Sequence, residues 1–155
     1  MSQIEKIHHT LIEKKKTLAL AESCSGGNLA AKFISIPDAS KYFLGSMVTY
    51  SNAMKEKILH VSVETIRVSG AVSREVADEM LIGLMKLSGA DYGIATTGIA
   101  GPTGGTSEKP VGTVFIAVGA KGKKPHVVQC DFEGDRAAII EATCERALEE
   151  LSYLI

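Results

Sequence analysis

The apolar positions along the chain alternate between two periods. From residue 3 to 16, Ile4, Ile7, Leu11 and Ile12 recur at helical spacing, and Lys14, Lys15 and Lys16 stand where a helix end is negative. Thr17-Leu18-Ala19-Leu20-Ala21 is then almost continuously apolar, the pattern of a strand buried on both faces. Ser25-Gly26-Gly27 turns the chain into a helix predicted over 28–36. That helix has Leu29, Ala30, Phe33 and Ile34 on one side and Pro37 as its stop. The pattern next predicts a strand over 42–50 and short helices over 52–59 and 62–68. A longer helix to Leu87 is opened by Ser73 as N-cap and carries Val76, Ala77, Met80, Leu84 and Leu87. Residues 91–97, 113–118 and 126–132 read as strands. Asp135 reads as the N-cap of a last helix, with Ile139, Ile140, Thr143, Ala147, Leu148 and Leu151 as its buried stripe.

Helices alternating with apolar strands argue for an α/β fold, a sheet covered on both faces. The last three strands are joined by segments with no helical pattern, so the sheet must be mixed, with at least one antiparallel member. In such sheets ligands gather at the carboxyl ends of parallel strands, which directs attention to the loops after Ala21 and after Thr97.

Composition narrows the classes. At 155 residues the chain is one domain's worth, and residues 1–155 are expected to form a single domain. A hydrophobic fraction of 45% against 23% charged residues is enough for a packed core. Seventeen basic and eighteen acidic residues give a net charge of -1, so there is no electrostatic footprint for nucleic acid. The absence of Trp also leaves few surfaces for base stacking. No run approaches the ~20 apolar residues of a membrane span, and the charged N-terminus lacks the apolar stretch of a signal peptide. Cys24, Cys130 and Cys144 form no C-x-x-C pair, which suits a reducing, cytoplasmic setting.

Three segments carry candidate chemistry. In Ala21-Glu22-Ser23-Cys24-Ser25-Gly26-Gly27, a hydroxyl lies between a buried strand and a helix start, beside backbone N–H groups that can stabilise an oxyanion. Ser23 or Ser25 is a candidate nucleophile there. Gly26 and Gly27 allow close approach of a ligand, and the same residues could serve only as a cap and turn. The segment is not the G-x-S-x-G elbow of α/β-hydrolases. None of the four histidines, His8, His9, His60 and His126, falls on a strand-end loop, and surface positions are expected for all of them. Lysine is the alternative base, provided that its ammonium is desolvated. Lys55 and Tyr50, in Tyr50-Ser51-Asn52-Ala53-Met54-Lys55, could face the same loop cluster, and Lys55 taken alone reads as a solvated surface lysine. The third segment is the glycine-rich stretch after Thr97. Gly98, Gly101, Gly104 and Gly105 expose backbone N–H groups that can form an anion-binding nest, without the G-K-[ST] of a Walker A loop. The same stretch could serve only as a long turn between strands; Arg136, beside the last N-cap, can pair with a phosphate or carboxylate or stand as a surface arginine at a helix start. No metal-ligand spacing is present, and Asp131, Glu133 and Asp135 read as a solvated turn.

Taken in order, AESCSGG, VTYSNAMK, GAVSREVA, TTGIAGPTGGTSEKPVGTV and FEGDR resemble the CinA C-terminal domain family, the competence-damage-inducible proteins. That family includes stand-alone nicotinamide-nucleotide amidases. The resemblance runs from Thr17 to the last helix. No second N-terminal domain is visible, so the stand-alone form is expected. It implies a three-layer α/β/α sandwich with a five-stranded mixed sheet, no metal and no cofactor. It also implies hydrolysis of the carboxamide of nicotinamide mononucleotide to nicotinic acid mononucleotide and ammonia, within pyridine nucleotide salvage. The implied roles are Ser23 as nucleophile, Lys55 as base and Tyr50 as assisting hydroxyl. Ser25, Gly26, Gly27, Thr97, Gly98, Gly101 and Arg136 are the expected substrate-binding positions. The chain reads ESCSGG and YSNAMK where the family commonly has ESCTGG and YSNEAK, and neither change touches the implied catalytic residues. Two rival readings stay open: a non-catalytic nucleotide-binding or interaction module, and an amidase for another amide. The expected partners are a small nucleotide, neither nucleic acid nor membrane, and a second copy of the chain in a two-fold dimer.

Overall fold

The computed structural model describes residues 1–155. Its elements are α1 (Gln3–Glu13), β1 (Leu18–Glu22), α2 (Asn28–Ile34), a 3-10 turn (Ala39–Lys41), β2 (Phe43–Val48) and α3 (Asn52–Leu59). They continue with α4 (Val63–Ser69), α5 (Arg74–Ser88), β3 (Tyr92–Gly98), β4 (Thr113–Ala120), β5 (His126–Asp131) and α6 (Arg136–Leu154). One five-stranded sheet has the order β2-β1-β3-β4-β5. β1 pairs in parallel with β2 and β3, and β4 runs antiparallel to both β3 and β5. This is the mixed sheet expected from the helix-free end of the sequence.

The alternation of β1 sorts the layers. Leu18 and Leu20 join Ile7, Leu11, Leu29, Phe33, Leu148 and Leu151 beneath α1, α2 and α6. Ala19 and Ala21 face the other way, onto Leu59 of α3 and Val76, Met80, Leu81 and Leu84 of α5. The second face is built from small residues. The register lines up Ala19, Gly93 and Gly119 in one row across β1, β3 and β4, and Ala21, Ala95 and Ala117 in another. A Cβ at Gly93 would stand 2.8 Å from Leu81 Cδ1, so α5 lies close on this floor. The result is an α/β/α sandwich.

The crossovers position the site. β1 leads to α2 on one face, whereas β2 leads to α3 on the other. The loops at the carboxyl ends of these neighbouring parallel strands therefore part, and a crevice opens between them. Ser51 caps α3 through its Oγ and the Met54 amide at 3.2 Å. α3 is pressed against α5 where Gly83 meets the Leu59 carbonyl, and an added Cβ there would collide with backbone. Gly83→Ala is therefore expected to destabilise the protein by about 1–3 kcal/mol and to lower its melting temperature. An unchanged melting temperature in calorimetry would contradict this packing.

Several sequence expectations need correction. α1 stops at Glu13, and Lys15 turns the chain at φ 53, so Lys14 to Lys16 lie beyond the helix rather than in its last turn. The strand expected over 42–50 is shorter, Phe43–Val48: the Thr49 amide makes the last contact with β1, donating to the Glu22 carbonyl at 2.9 Å, and the chain then turns into the Ser51 cap of α3. His8 is not a surface residue. It is buried, with Nδ1 3.2 Å from the Tyr42 hydroxyl, and desolvation lowers its pKa. Buried Cys144 and Glu150 extend the α6 stripe, and Arg146 pairs with Glu150 at 2.7 Å. No helix is long and apolar enough to cross a membrane.

Candidate active site

Ser23 is the first residue beyond β1. Its amide donates to the Thr96 carbonyl at 3.0 Å, which keeps it in register with β3. Continuing the strand alternation, Ser23 faces the α3 and α5 layer, whereas Glu22 faces α2. Lys55 comes from the first turns of α3 and is 1% exposed. Its Nζ lies 3.0 Å from Ser23 Oγ, 3.0 Å from the Thr49 carbonyl and 3.3 Å from the Tyr50 carbonyl. No carboxylate pairs with it. Burial accordingly lowers its pKa, and the nearby Cys24 acts weakly in the opposite sense.

This geometry suits a neutral amine. Two N–H groups donate to the two carbonyls, and the nitrogen lone pair is left for the Ser23 hydroxyl proton. Once protonated, the ammonium donates to all three oxygens. Cys24, next to Ser23, is poorly suited as a nucleophile, because burial pushes its thiol up to about 12 and keeps it protonated.

The turn after Ser23 divides its donors. The Gly26 amide donates to the Ser23 carbonyl at 3.1 Å and the Gly27 amide to Glu22 Oε1 at 3.2 Å. The Cys24 and Ser25 amides lie outside helix and strand and donate to nothing in the chain. They are the two candidate oxyanion donors. Gly26 and Gly27 hold φ 56 and 95, the left-handed region that a side chain disfavours.

The other sequence-predicted residues are dispersed. Tyr50 is 61% exposed, and its hydroxyl accepts from Arg136 Nη2 at 3.0 Å. Only its backbone carbonyl meets Lys55. Arg136 Nη1 donates to the Gly101 carbonyl at 2.7 Å, so Arg136 ties Tyr50 to the glycine-rich loop. No carboxylate neutralises this guanidinium. The Ser25 and Thr97 hydroxyls turn inward: Ser25 Oγ donates to Glu22 at 2.8 Å and Thr97 Oγ1 to the Ala71 carbonyl at 2.8 Å. Gly98 is packed too, since a Cβ there would stand 2.6 Å from Val114 and 3.1 Å from Cys24 Sγ. The tight constellation is thus Ser23 with Lys55, and Tyr50, Arg136 and Gly101 form a separate bridge.

Sequence reasoning gave no role to Glu22, Ser46 or Thr96, which surround the base of the turn. The available signal was Glu22 itself, a lone acid closing an apolar strand, which can be buried only with partners. An apolar cavity of about 340 Å³ lies away from this chemistry, lined by Ala19, Leu44, Met47, Leu84 and Leu87 among others.

The fold and pair define an α/β domain with a buried serine–lysine couple at the carboxyl ends of parallel strands. The chain belongs to the CinA family: the CinA C-terminal domain model matches residues 1–155. It is 50% identical over 141 residues to a CinA-like protein of Endomicrobium trichonymphae, covering 91% of this chain and 33% of that protein. It is 49% identical over 140 residues to a putative competence-damage inducible protein of Clostridium beijerinckii, covering 90% and 34%. The chain thus spans about a third of the length of the curated relatives it matches. Among solved structures it resembles a competence-damaged protein (CinA) superfamily protein of Escherichia coli, with TM-score 0.94, 35% identity and coverage of 99% and 88%. It also resembles competence damage-inducible protein A of Klebsiella pneumoniae, with TM-score 0.93, 36% identity and coverage of 97% and 93%.

Proposed function

We propose that this chain is an amidase that converts nicotinamide mononucleotide and water into nicotinic acid mononucleotide and ammonia. The observation that carries the reading is the 3.0 Å contact between Ser23 Oγ and a buried Lys55 amine that has no counter-charge. Such an amine can act as a base near neutral pH. The nucleotide half of the reading rests on the motif resemblance and on Arg136, whose guanidinium has neutral partners only and remains available to a phosphate.

In this scheme Lys55 takes the hydroxyl proton as Ser23 Oγ bonds to the carboxamide carbon. The Cys24 and Ser25 amides stabilise the oxyanion. Lys55 then gives the proton to the amide nitrogen, the C–N bond breaks, and ammonia leaves an acyl-Ser23. Water attacks the acyl carbon while Lys55 takes its proton, and the acid departs as Ser23 regains its hydrogen. Tyr50 and Arg136, bonded to each other and to Gly101, orient the nucleotide in this scheme.

Ammonia release measured in parallel with nicotinamide mononucleotide, free nicotinamide, glutamine and asparagine tests the proposal. Turnover of the nucleotide alone is expected, because binding energy from the phosphate positions the reacting amide. Equal turnover of free nicotinamide would remove the phosphate-recognition part. Turnover of glutamine or asparagine instead would reassign the substrate. No turnover of any amide would favour a binding module.

A further inference from the structure

Behind the nucleophile turn lies a fully buried carboxylate that the scheme above does not use. Glu22 Oε1 accepts from Ser25 Oγ at 2.8 Å, the Gly27 amide at 3.2 Å and the Leu29 amide at 2.9 Å. Its Oε2 accepts from Ser46 Oγ at 2.7 Å and the Ala30 amide at 3.3 Å. These donors come from the turn, from α2 and from β2. No cation pairs with Glu22. The alternation of β1 directs it to the α2 side and Ser23 to the Lys55 side, so the carboxylate leaves Lys55 without a counter-charge.

The hydrogen bonds have a fixed direction. An ionised carboxylate only accepts, so Ser25 Oγ donates to Glu22 and must accept from Thr96 Oγ1, 2.7 Å away. A directed chain from β3 through the turn to β1 therefore pins Ser25. The helix is capped in an unusual way as well. Its N-cap, Gly27, has no side chain to offer, and the amides that a cap would satisfy go to Glu22 on the strand. The amides at Gly27, Leu29 and Ala30 are thus occupied, while those at Cys24 and Ser25 stay free beside Ser23.

We propose that Glu22 is a positioning residue of the active site. It is an internal anion that sets the turn so that Ser23 meets Lys55 and the Cys24 and Ser25 amides converge on the reacting carbonyl oxygen. The inference rests on the reading of Ser23 as nucleophile. Its consequence is kinetic. Displacing reacting groups by about 1 Å can cost on the order of 10²-fold in rate, so Glu22→Gln should lower kcat by that order and leave KM within about twofold. Gln keeps the shape but sets an NH2 against a donor on one side. In Glu22→Ala, added formate should restore part of the lost rate by supplying a carboxylate to the same hydroxyls and amides.

The test combines three readouts on wild type, Glu22→Gln, Glu22→Ala and Ser23→Ala. They are ammonia release from nicotinamide mononucleotide, the rate of covalent labelling by a fluorophosphonate probe, and amide hydrogen exchange over residues 23–30. Support consists of labelling at Ser23 in wild type, labelling and kcat depressed in Glu22→Gln with KM held, faster exchange in the turn, and formate rescue of Glu22→Ala. Wild-type kcat, labelling and exchange in Glu22→Gln would overturn the positioning role and leave the nucleophile standing. A parallel rise in KM with kcat held would overturn it too, because that reports substrate binding. Wild-type labelling no faster than in Ser23→Ala would remove the nucleophile instead. Exchange then decides the role of Glu22 in the turn: acceleration in Glu22→Gln upholds it, and unchanged exchange overturns it. If both Glu22 variants fail to fold, Ser46→Ala and Ser25→Ala each remove one donor to Glu22. A kcat loss with KM held in both then upholds the role, and wild-type kcat in both overturns it.

Discussion

Ser23→Ala is expected to fold as the parent does and to lose on the order of 10⁴–10⁶-fold in turnover, the scale seen when a nucleophile is deleted from a catalytic unit. The Ser23 side chain makes one hydrogen bond, to Lys55, so its removal leaves the sheet and the turn in place. The nucleotide should still bind, because Arg136 and the glycine-rich loop are untouched. Ser25→Ala is the internal control. It removes a hydroxyl that points to Glu22 and Thr96 rather than to the crevice, and it should retain far more activity than Ser23→Ala. Rapid quench and mass spectrometry of wild type should find the acyl group on the peptide that contains Ser23. An adduct on Cys24 would show that the assignment is wrong, since a buried thiol held near 12 should not ionise.

Lys55→Met is the second large effect. Methionine keeps the apolar stem and removes the amine, so the rate should fall by roughly 10²–10⁴-fold, the usual contribution of a positioned proton-transfer group. The sign of the pH dependence follows from burial. Lys55 works in its neutral form, and the neutral fraction rises with pH through the folded-state pKa. Since desolvation moves that pKa below 10.5, kcat/KM should climb with pH and level off below the ordinary lysine range. In Lys55→Met this limb should vanish. A limb that survives the substitution would assign the titration to another group. The double variant Ser23→Ala with Lys55→Met should be no worse than Ser23→Ala alone, because nucleophile and base act as one unit. Additive losses would separate them.

The bridge of Tyr50, Arg136 and Gly101 is expected to respond differently. Arg136→Gln should raise KM for the nucleotide more than it lowers kcat, because the residue lies apart from the Ser23–Lys55 pair and holds Tyr50 and Gly101. A steady-state comparison with wild type reads this directly. A pure kcat loss would place Arg136 at the reacting amide instead.

Much of the architecture was determined by the sequence alone, because local rules and burial agree along most of the chain. The apolar run of β1, the caps at Ser73 and Asp135, and the helix-free joins among the last three strands led to a mixed α/β sheet. The structure has those caps and that sheet. The motif order likewise pointed to the CinA family, to which the chain belongs. Only the tertiary structure decided which residues meet. Taken alone, Lys55 reads in sequence as a solvated surface lysine. It becomes a buried amine because α3 is drawn against α5 at Gly83 and because two carbonyls and Ser23 receive its nitrogen. Tyr50 sits five residues from Lys55, yet its hydroxyl lies with Arg136, 86 positions away. His8 reads as a surface residue until Tyr42 packs over it. Glu22 shows the limit most clearly. A carboxylate at a strand end becomes a buried hub only when the turn, α2 and β2 bring five donors to it, and pairing at that distance in sequence follows no local period.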